Sequence, residues 1–370
     1  MHIIQAAVLR KAGEPFEIES VEIDDPCDDE ILVENTASGI CHTDIMVCDS
    51  HSDDKPVILG HEGAGIVVGT GKNVKNIKSG DHVLLSFQYC GECEQCRNDQ
   101  PWKCQYMGDL NFGYMRRDGS NAYLNSGVYG HFFGQSSFAS HSLVTENNCI
   151  KVSSELSLET LCPLGCGIQT GAGTVMNLMK VPKGSSIAVF GTGAVGIAAI
   201  MAARIVGAAA IIGIDIHQSR LELARELGAT HVINSNQDAV ASVISSITGS
   251  GVDFSLDLTS NPAVSQLAVD VLNPGGVFAN IARPWEVPEL SKGKKSVGVT
   301  MGSAIPQEFI PELIQYYQAG DFPFDRLEKF YDFSEINRAI ADSRSGVAIK
   351  PILRINRSKD PFINKSINDY

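Results

Sequence analysis

The chain has 370 residues and a formal net charge of −14, with 44% hydrophobic and 19% charged residues. That length favours two domains, and the composition suits a globular protein with a sizeable core. It excludes a disordered chain or a coiled coil, and an acidic surface repels nucleic acid and anionic membranes.

The opening MHIIQAAVLRKAGEPF alternates like a strand and lacks a charged-then-apolar leader, so a cytoplasmic location is expected. Up to about residue 150 the pattern is short strands and glycine turns, with strands expected at Ala6–Leu9, Ile31–Glu34, Gly65–Val68 and His82–Leu85. Such spacing predicts a compact, barrel-like β domain. Ten cysteines in a reducing compartment point to metal or catalysis rather than to disulfides.

Within this first half, Cys90, Cys93, Cys96 and Cys104 place four thiolates inside fifteen residues. Tight loops at that spacing let four sulfurs converge on a tetrahedral zinc that holds a loop rather than catalyses. A cubane iron–sulfur cluster is disfavoured, because its bacterial run has a three-residue last gap and a following proline. Four unliganded thiols fit poorly with such polar flanks. Cys41 in Gly-Ile-Cys-His-Thr-Asp, His61 in Gly-His-Glu and Cys166 in Gly-Cys-Gly are each weak signals alone. Two thiolates, one imidazole and an open position nevertheless make a catalytic zinc set. Cys27, Cys48, Cys149 and Cys162 read as ordinary thiols.

From about Ser185 the character changes to alternating strands and helices. Strands are expected at Ser186–Phe190, Ala210–Ile214, His231–Asn234, Phe254–Leu258 and Val277–Ile281, with helices at Ala194–Val206 and Ser219–Leu227. Strands apolar on both faces indicate a parallel, doubly wound sheet. The apolar run from Gly193 to Ile214 contains Arg204 and Gly207, so it reads as a buried helix and strand rather than a membrane span. Gly191-Thr192-Gly193-Ala194-Val195-Gly196 follows the first strand and opens its helix, the setting in which a dinucleotide pyrophosphate meets a helix N-terminus. Asp215 ends the next strand, where a carboxylate accepts the adenosine ribose diol and repels a 2′-phosphate, so NAD is preferred over NADP. Arg220, five residues on, would partly offset that repulsion. A helix Gln307–Tyr317 and a strand Ile349–Ile355 close the fold, and 356–370 reads as a polar tail.

Taken together, Cys-His-Thr-Asp (41–44), Gly-His-Glu (60–62), the four-cysteine lobe and Gly-Cys-Gly-Ile-Gln-Thr-Gly (165–171) resemble the zinc-dependent medium-chain alcohol dehydrogenases over residues 1 to about 355. Gly-His-Phe-Phe-Gly-Gln-Ser-Ser-Phe-Ala (130–139) and Lys-Pro-Ile (350–352) are similar to segments of the bacterial aryl-alcohol (benzyl alcohol) dehydrogenases. The resemblance implies an α/β fold with a GroES-like catalytic domain, 1–167 and 302–355, carrying the structural zinc lobe 88–106. A Rossmann domain, 168–301, is inserted into it. It implies two zinc ions per chain and NAD, with Cys41, His61 and Cys166 as catalytic ligands and Cys90, Cys93, Cys96 and Cys104 as structural ones. Thr43 would be the proton-relay hydroxyl and Glu62 the acid beside the metal. Thr170 and Val195 would back the nicotinamide, and Lys350 would lie near the pyrophosphate. Phe132 and Phe133, with Thr43 and Met46, would line the substrate pocket; plain core packing is the alternative for the two phenylalanines.

Two positions depart from the best-known animal members. His42 stands where an arginine binds pyrophosphate, and Met46 replaces a relay histidine. The expected reaction is reversible oxidation of a primary, aromatic alcohol to its aldehyde, with zinc as Lewis acid and hydride passing to NAD. The expected state is a homo-oligomer, a tetramer rather than a dimer, with no nucleic-acid or membrane partner. The alternatives are an allylic terpenoid alcohol, the formaldehyde–glutathione adduct or, in a different class, a zinc-ribbon protein contacting nucleic acid.

Overall fold

A computed structural model describes residues 1–51, 55–124, 127–281 and 288–355. The predicted tail at 356–370 lies outside them. The chain forms two compact units. Among the described residues one comprises 1–166, 305–311 and 325–355; the other comprises 167–304 and 312–324.

The first unit is built on largely antiparallel sheets, with Glu328–Asp332 the parallel exception, and its longest strand, Glu30–Gly39, organises the rest. Nine of its ten residues are buried, so it reads as a core strand paired on both edges. Glu62–Thr70, His141–Thr145 and Lys350–Arg354 all pair with it, each antiparallel. Its end matters most for function. Gly39 lies opposite both Glu62 and Ile352, and the Ile40 amide donates to the Pro351 carbonyl at 2.9 Å. Three distant segments therefore meet where Cys41 begins. A side chain at Gly39 would put its Cβ 2.2 Å from Glu62 Oε2, so only glycine fits this crossing. Beneath the sheet Ile31, Val33, Val67, Val83, Leu85 and Val144 form one core cluster.

The second unit is a six-stranded parallel sheet. Its strand order is His231–Asn234, Ala210–Asp215, Ser186–Phe190, Val252–Asp257, Leu272–Asn280 and Lys295–Gly298. In chain numbering within the unit this is 3-2-1-4-5-6, the doubly wound dinucleotide-binding order. Ser186–Phe190 and Ala210–Asp215 are buried on both faces beyond their first residues, as predicted. Phe190, Ile214, Ile233, Ile244, Val269 and Phe278 pack in its core, each at 2% exposure or less. Full burial of such side chains contributes about 1.5–3 kcal/mol apiece.

Elements the sequence pattern did not announce include the strand Glu17–Ile23 and the helices Val240–Thr248, Pro262–Asp270 and Ile336–Arg344. Val240–Thr248 is rich in β-branched residues, which lowers helix propensity; burial of Val240 and Ile244 overrides it. Among the described residues no helix is long and apolar enough to cross a membrane.

Candidate active site and nucleotide cradle

Cys41 is the N-cap of the helix His42–Ser50, and the third helical residue, Asp44, turns back to accept from the Cys41 amide at 2.8 Å. The other Asp44 oxygen accepts from the Gly60 amide at 3.1 Å and meets His61 Nδ1 at 2.8 Å. Asp44 is 1% exposed and His61 fully buried. This pairing fixes the ring and aims Nε2 away from the acid. Nε2 is buried and has no hydrogen-bond partner among the described residues. Ligand atoms of Cys41, His61, Glu62 and Cys166 all lie within 4.8 Å of one another. A buried imidazole nitrogen with nothing to bond, facing two cysteines, is the donor set that a transition-metal ion satisfies.

Electrostatics in this pocket are strong. Burial disfavours an imidazolium at His61, but Asp44 and Cys41 outweigh it and raise its basicity. A hydrogen bond from Cys166 and the neighbouring His61 hold the Cys41 thiol well below its ordinary value despite burial. Thr43 Oγ1 lies 3.9 Å from Cys41 Sγ and is half-buried. His42 and Met46 are on the exposed side of the same helix.

Lys350, expected near coenzyme phosphates, is buried beside Glu62. Its side chain is 3% exposed, with Nζ 2.9 Å from both Glu62 oxygens and 3.3 Å from the Ile40 carbonyl. Burial raises the Glu62 carboxyl while Lys350 pulls it down. Desolvation opposes the Lys350 charge, yet Glu62 and Cys41 hold its basicity above the ordinary value. The sheet register explains the pairing, since Glu62 and the 350–352 segment flank Gly39.

Phe132 and Phe133 pack on the metal side. Phe133 stacks on the His61 ring with centroids 4.3 Å apart, and Phe132 meets it edge-on at 5.5 Å. Phe112 and Tyr114, which the sequence reading missed, extend this aromatic wall at 5.1 Å from Phe133 and 5.9 Å from Phe132. Phe112 is 45% exposed, so the wall runs from the buried imidazole to solvent.

The sulfur atoms of Cys90, Cys93, Cys96 and Cys104 also lie within 4.8 Å of one another. Cys90 and Cys96 sulfurs are 3.8 Å apart, and those of Cys93 and Cys96 are 3.4 Å apart. A tetrahedron with 2.3 Å zinc–sulfur bonds has edges of about 3.8 Å, so the four fit that ion.

In the second unit the glycine fingerprint has distinct physical duties. Gly191 turns with φ +94°, and a Cβ at Gly196 would sit 2.0 Å from the Gly191 carbonyl oxygen. Nothing lies within 4 Å of the position a Gly193 Cβ would occupy. The helix Ala194–Ile205 starts at that open position without a side-chain cap, leaving its first amides for an anion. Ala194 and Val195 form its first turn; Thr170 is buried in the helix Gly167–Gly173. Asp215 accepts from the Thr192 amide and hydroxyl at 2.7 and 3.0 Å, and from the Ile216 and His217 amides at 2.8 and 3.0 Å. Its carboxylate is thus fixed at the end of its strand. The buried Arg220 Nε has no hydrogen-bond partner among the described residues.

Residues 27–154 match the alcohol dehydrogenase GroES-like domain and residues 194–318 the zinc-binding dehydrogenase domain. Geraniol dehydrogenase of Castellaniella defragrans is 42% identical over 94% of this chain and 97% of its own. The chain belongs to the zinc-binding alcohol dehydrogenases. It is a two-domain member of that family, with a GroES-like domain and a parallel-sheet nucleotide-binding domain, and its family implies zinc and NAD(H). The crystal structure of benzyl alcohol dehydrogenase from Acinetobacter calcoaceticus is 45% identical with TM-score 0.93, covering 96% of this chain and 100% of that one. An alcohol dehydrogenase zinc-binding domain protein from Burkholderia ambifaria is 47% identical with TM-score 0.93, at 96% and 99% coverage.

Proposed function

We propose that this alcohol dehydrogenase reversibly oxidises primary benzyl-type alcohols to aldehydes, using NAD and two zinc ions per chain. Cys41, His61 and Cys166 would hold the catalytic ion, and Cys90, Cys93, Cys96 and Cys104 the structural one. The observation that carries the substrate class is the wall of Phe133, Phe132, Phe112 and Tyr114 running outward from the His61 ring. Flat apolar rings meet such a wall through area and edge-to-face contact.

When bound, zinc supplies a Lewis acid that acidifies the substrate hydroxyl, and NAD supplies the hydride acceptor. The chain's own residues do the rest. Asp44 orients His61, and Lys350 holds Glu62 by both oxygens. Thr43 Oγ1 accepts the substrate proton and passes it outward, since a hydroxyl relays but does not store it. Met46 offers no titratable group to receive that proton, so its exit route would lie outside residue 46. Gly191, Gly193 and Gly196 seat the pyrophosphate with the help of His42. Asp215 selects NAD by meeting the ribose diol, and Arg220 lies five residues beyond it.

A terpenoid allylic alcohol is the second reading, favoured by the likeness to a geraniol dehydrogenase. Initial rates of NADH formation on benzyl alcohol, geraniol, ethanol and the formaldehyde–glutathione adduct separate them. The highest kcat/KM is expected on benzyl alcohol. A higher value on geraniol would replace the aryl assignment with the allylic one.

A further inference from the structure

The segment 131–136 is costly backbone. His131, Phe133 and Ser136 have φ of 61°, 53° and 50°, the left-handed region that side-chain-bearing residues avoid. Such conformations persist where surrounding contacts over-determine them. Here the contacts converge on Gln135, which is fully buried. Its Oε1 accepts from the Gly63 amide at 3.0 Å, and its Nε2 donates to the His61 carbonyl at 2.9 Å and the Ser86 carbonyl at 3.2 Å. One side chain thus grips the backbone on both sides of Glu62, directly after His61, and ties it to Ser86.

Ser86, also fully buried, continues the link: its hydroxyl donates to the Gly165 carbonyl at 2.6 Å, one residue before Cys166. Gly165 lies so close to this strand that a Cβ there would sit 2.1 Å from the Leu85 carbonyl oxygen. On the other side Asp44 joins the Cys41 amide to the His61 ring. Hydrogen bonds therefore run without a break from Cys41 to His61 to the peptide of Cys166. The three residues are 20 and 105 positions apart in sequence; the sheet pairing at Gly39 brings Cys41 and His61 together, and this buried circuit ties both to Cys166.

We propose that Gln135, acting with Ser86, is a positioning residue that holds the His61 and Cys166 segments in metal-binding register before any metal arrives. This rests on the assignment of Cys41, His61 and Cys166 as the catalytic ligands. The side-chain hydrogen bonds of Gln135 all go to backbone groups, so it acts through the segments that carry the ligands. Partners outside the ligand set commonly change metal affinity by about 10–100-fold.

The test is zinc release from the full-length, zinc-loaded protein into a colorimetric chelator, with thermal unfolding in parallel. Wild type should show two release phases, and Cys166→Ser should lack the faster one. Gln135→Leu, close in volume but without the amide, should speed that phase at least tenfold and leave the slower phase unchanged. Asn35→Leu is the control for structural loss. Asn35 is equally buried and donates to the Ala139 carbonyl and Ser142 hydroxyl, each at 2.8 Å, away from the ligands. It should lower the melting temperature comparably and leave both phases at the wild-type rate. A wild-type fast phase in Gln135→Leu, or equal acceleration in Asn35→Leu, overturns the proposal while the ligand assignment stands. Both phases surviving in Cys166→Ser would overturn the assignment instead. If Gln135→Leu does not accumulate folded, Ser86→Ala decides: faster release supports the circuit, and the wild-type rate overturns it.

Discussion

Replacing Asp44 by asparagine keeps the side chain's shape and removes one acceptor. The carboxylate takes three contacts: the amides of Cys41 and Gly60, and Nδ1 of His61. An asparagine has one oxygen, so at least one buried donor must face an NH2 group. The better orientation keeps the oxygen on Gly60 and His61, leaving the Cys41 amide without an acceptor. An orphaned buried donor costs about 1–3 kcal/mol. The carboxylate's support of the imidazole is lost as well, and partners of this kind alter metal affinity by about 10–100-fold. Asp44→Asn should therefore fold, lose about 2 kcal/mol in urea unfolding, and bind the catalytic zinc at least tenfold more weakly in a chelator competition. Asp44→Ala orphans all three donors, a cost of about 3–9 kcal/mol that consumes much of a domain's marginal stability. It should not accumulate as folded protein. Zinc affinity within twofold of wild type in Asp44→Asn would refute the claim that this acid orients the imidazole.

Burial holds His131 down to about 4, with Arg116 acting the same way and Glu30 opposing. An unfolded histidine titrates near 6.5, so the folded state declines a proton that the unfolded state takes up below that pH. The stability this neutral ring permits is present above about pH 6.5 and is lost as pH falls towards 4, by about 2 kcal/mol at pH 5. His131→Asn, which tolerates the positive φ, should lack that loss; urea unfolding at pH 7 and 5 checks it, and an unchanged pH dependence in the variant counts against the assignment. Asp215→Gly should raise kcat/KM with NADP at least tenfold and lower it with NAD, because four donors now facing the carboxylate become available to a phosphate. Equal use of both cofactors by wild type would contradict its role. His42→Arg should tighten NADH, read by fluorescence titration; an unchanged dissociation constant would remove His42 from the pyrophosphate site.

What could be read from the sequence was what is local in it. The glycines at 191, 193 and 196 act within six residues of one another, and the four cysteines within fifteen, so spacing alone carried their geometry. Strands such as Ser186–Phe190 and Ala210–Asp215 announced themselves because burial on both faces demands an unbroken apolar run. Contacts made across the fold left no such trace. Asp44 stands in a quoted motif, yet its partner His61 is 17 residues away. Gln135 stands in the quoted 130–139 segment and Ser86 follows the apolar His82–Leu85 strand, yet neither setting shows that the two side chains meet the His61 and Cys166 backbones. Lys350 meets Glu62 across 288 residues, a pairing that only the sheet register reveals. Phe112 and Tyr114 were hidden for the same reason, since their rings find Phe132 and Phe133 only after the chain turns back.

The most direct test is the metal inventory of two single variants beside their turnover. Closed four-thiolate and open three-ligand sites have different duties, so losing a ligand from each should have different consequences. Wild type should hold two zinc ions per chain. Cys166→Ser should keep about one, remain folded and form no NADH from benzyl alcohol, whereas Cys93→Ser should lose solubility. Full turnover by Cys166→Ser, or a single zinc in carefully purified wild type, would contradict the account.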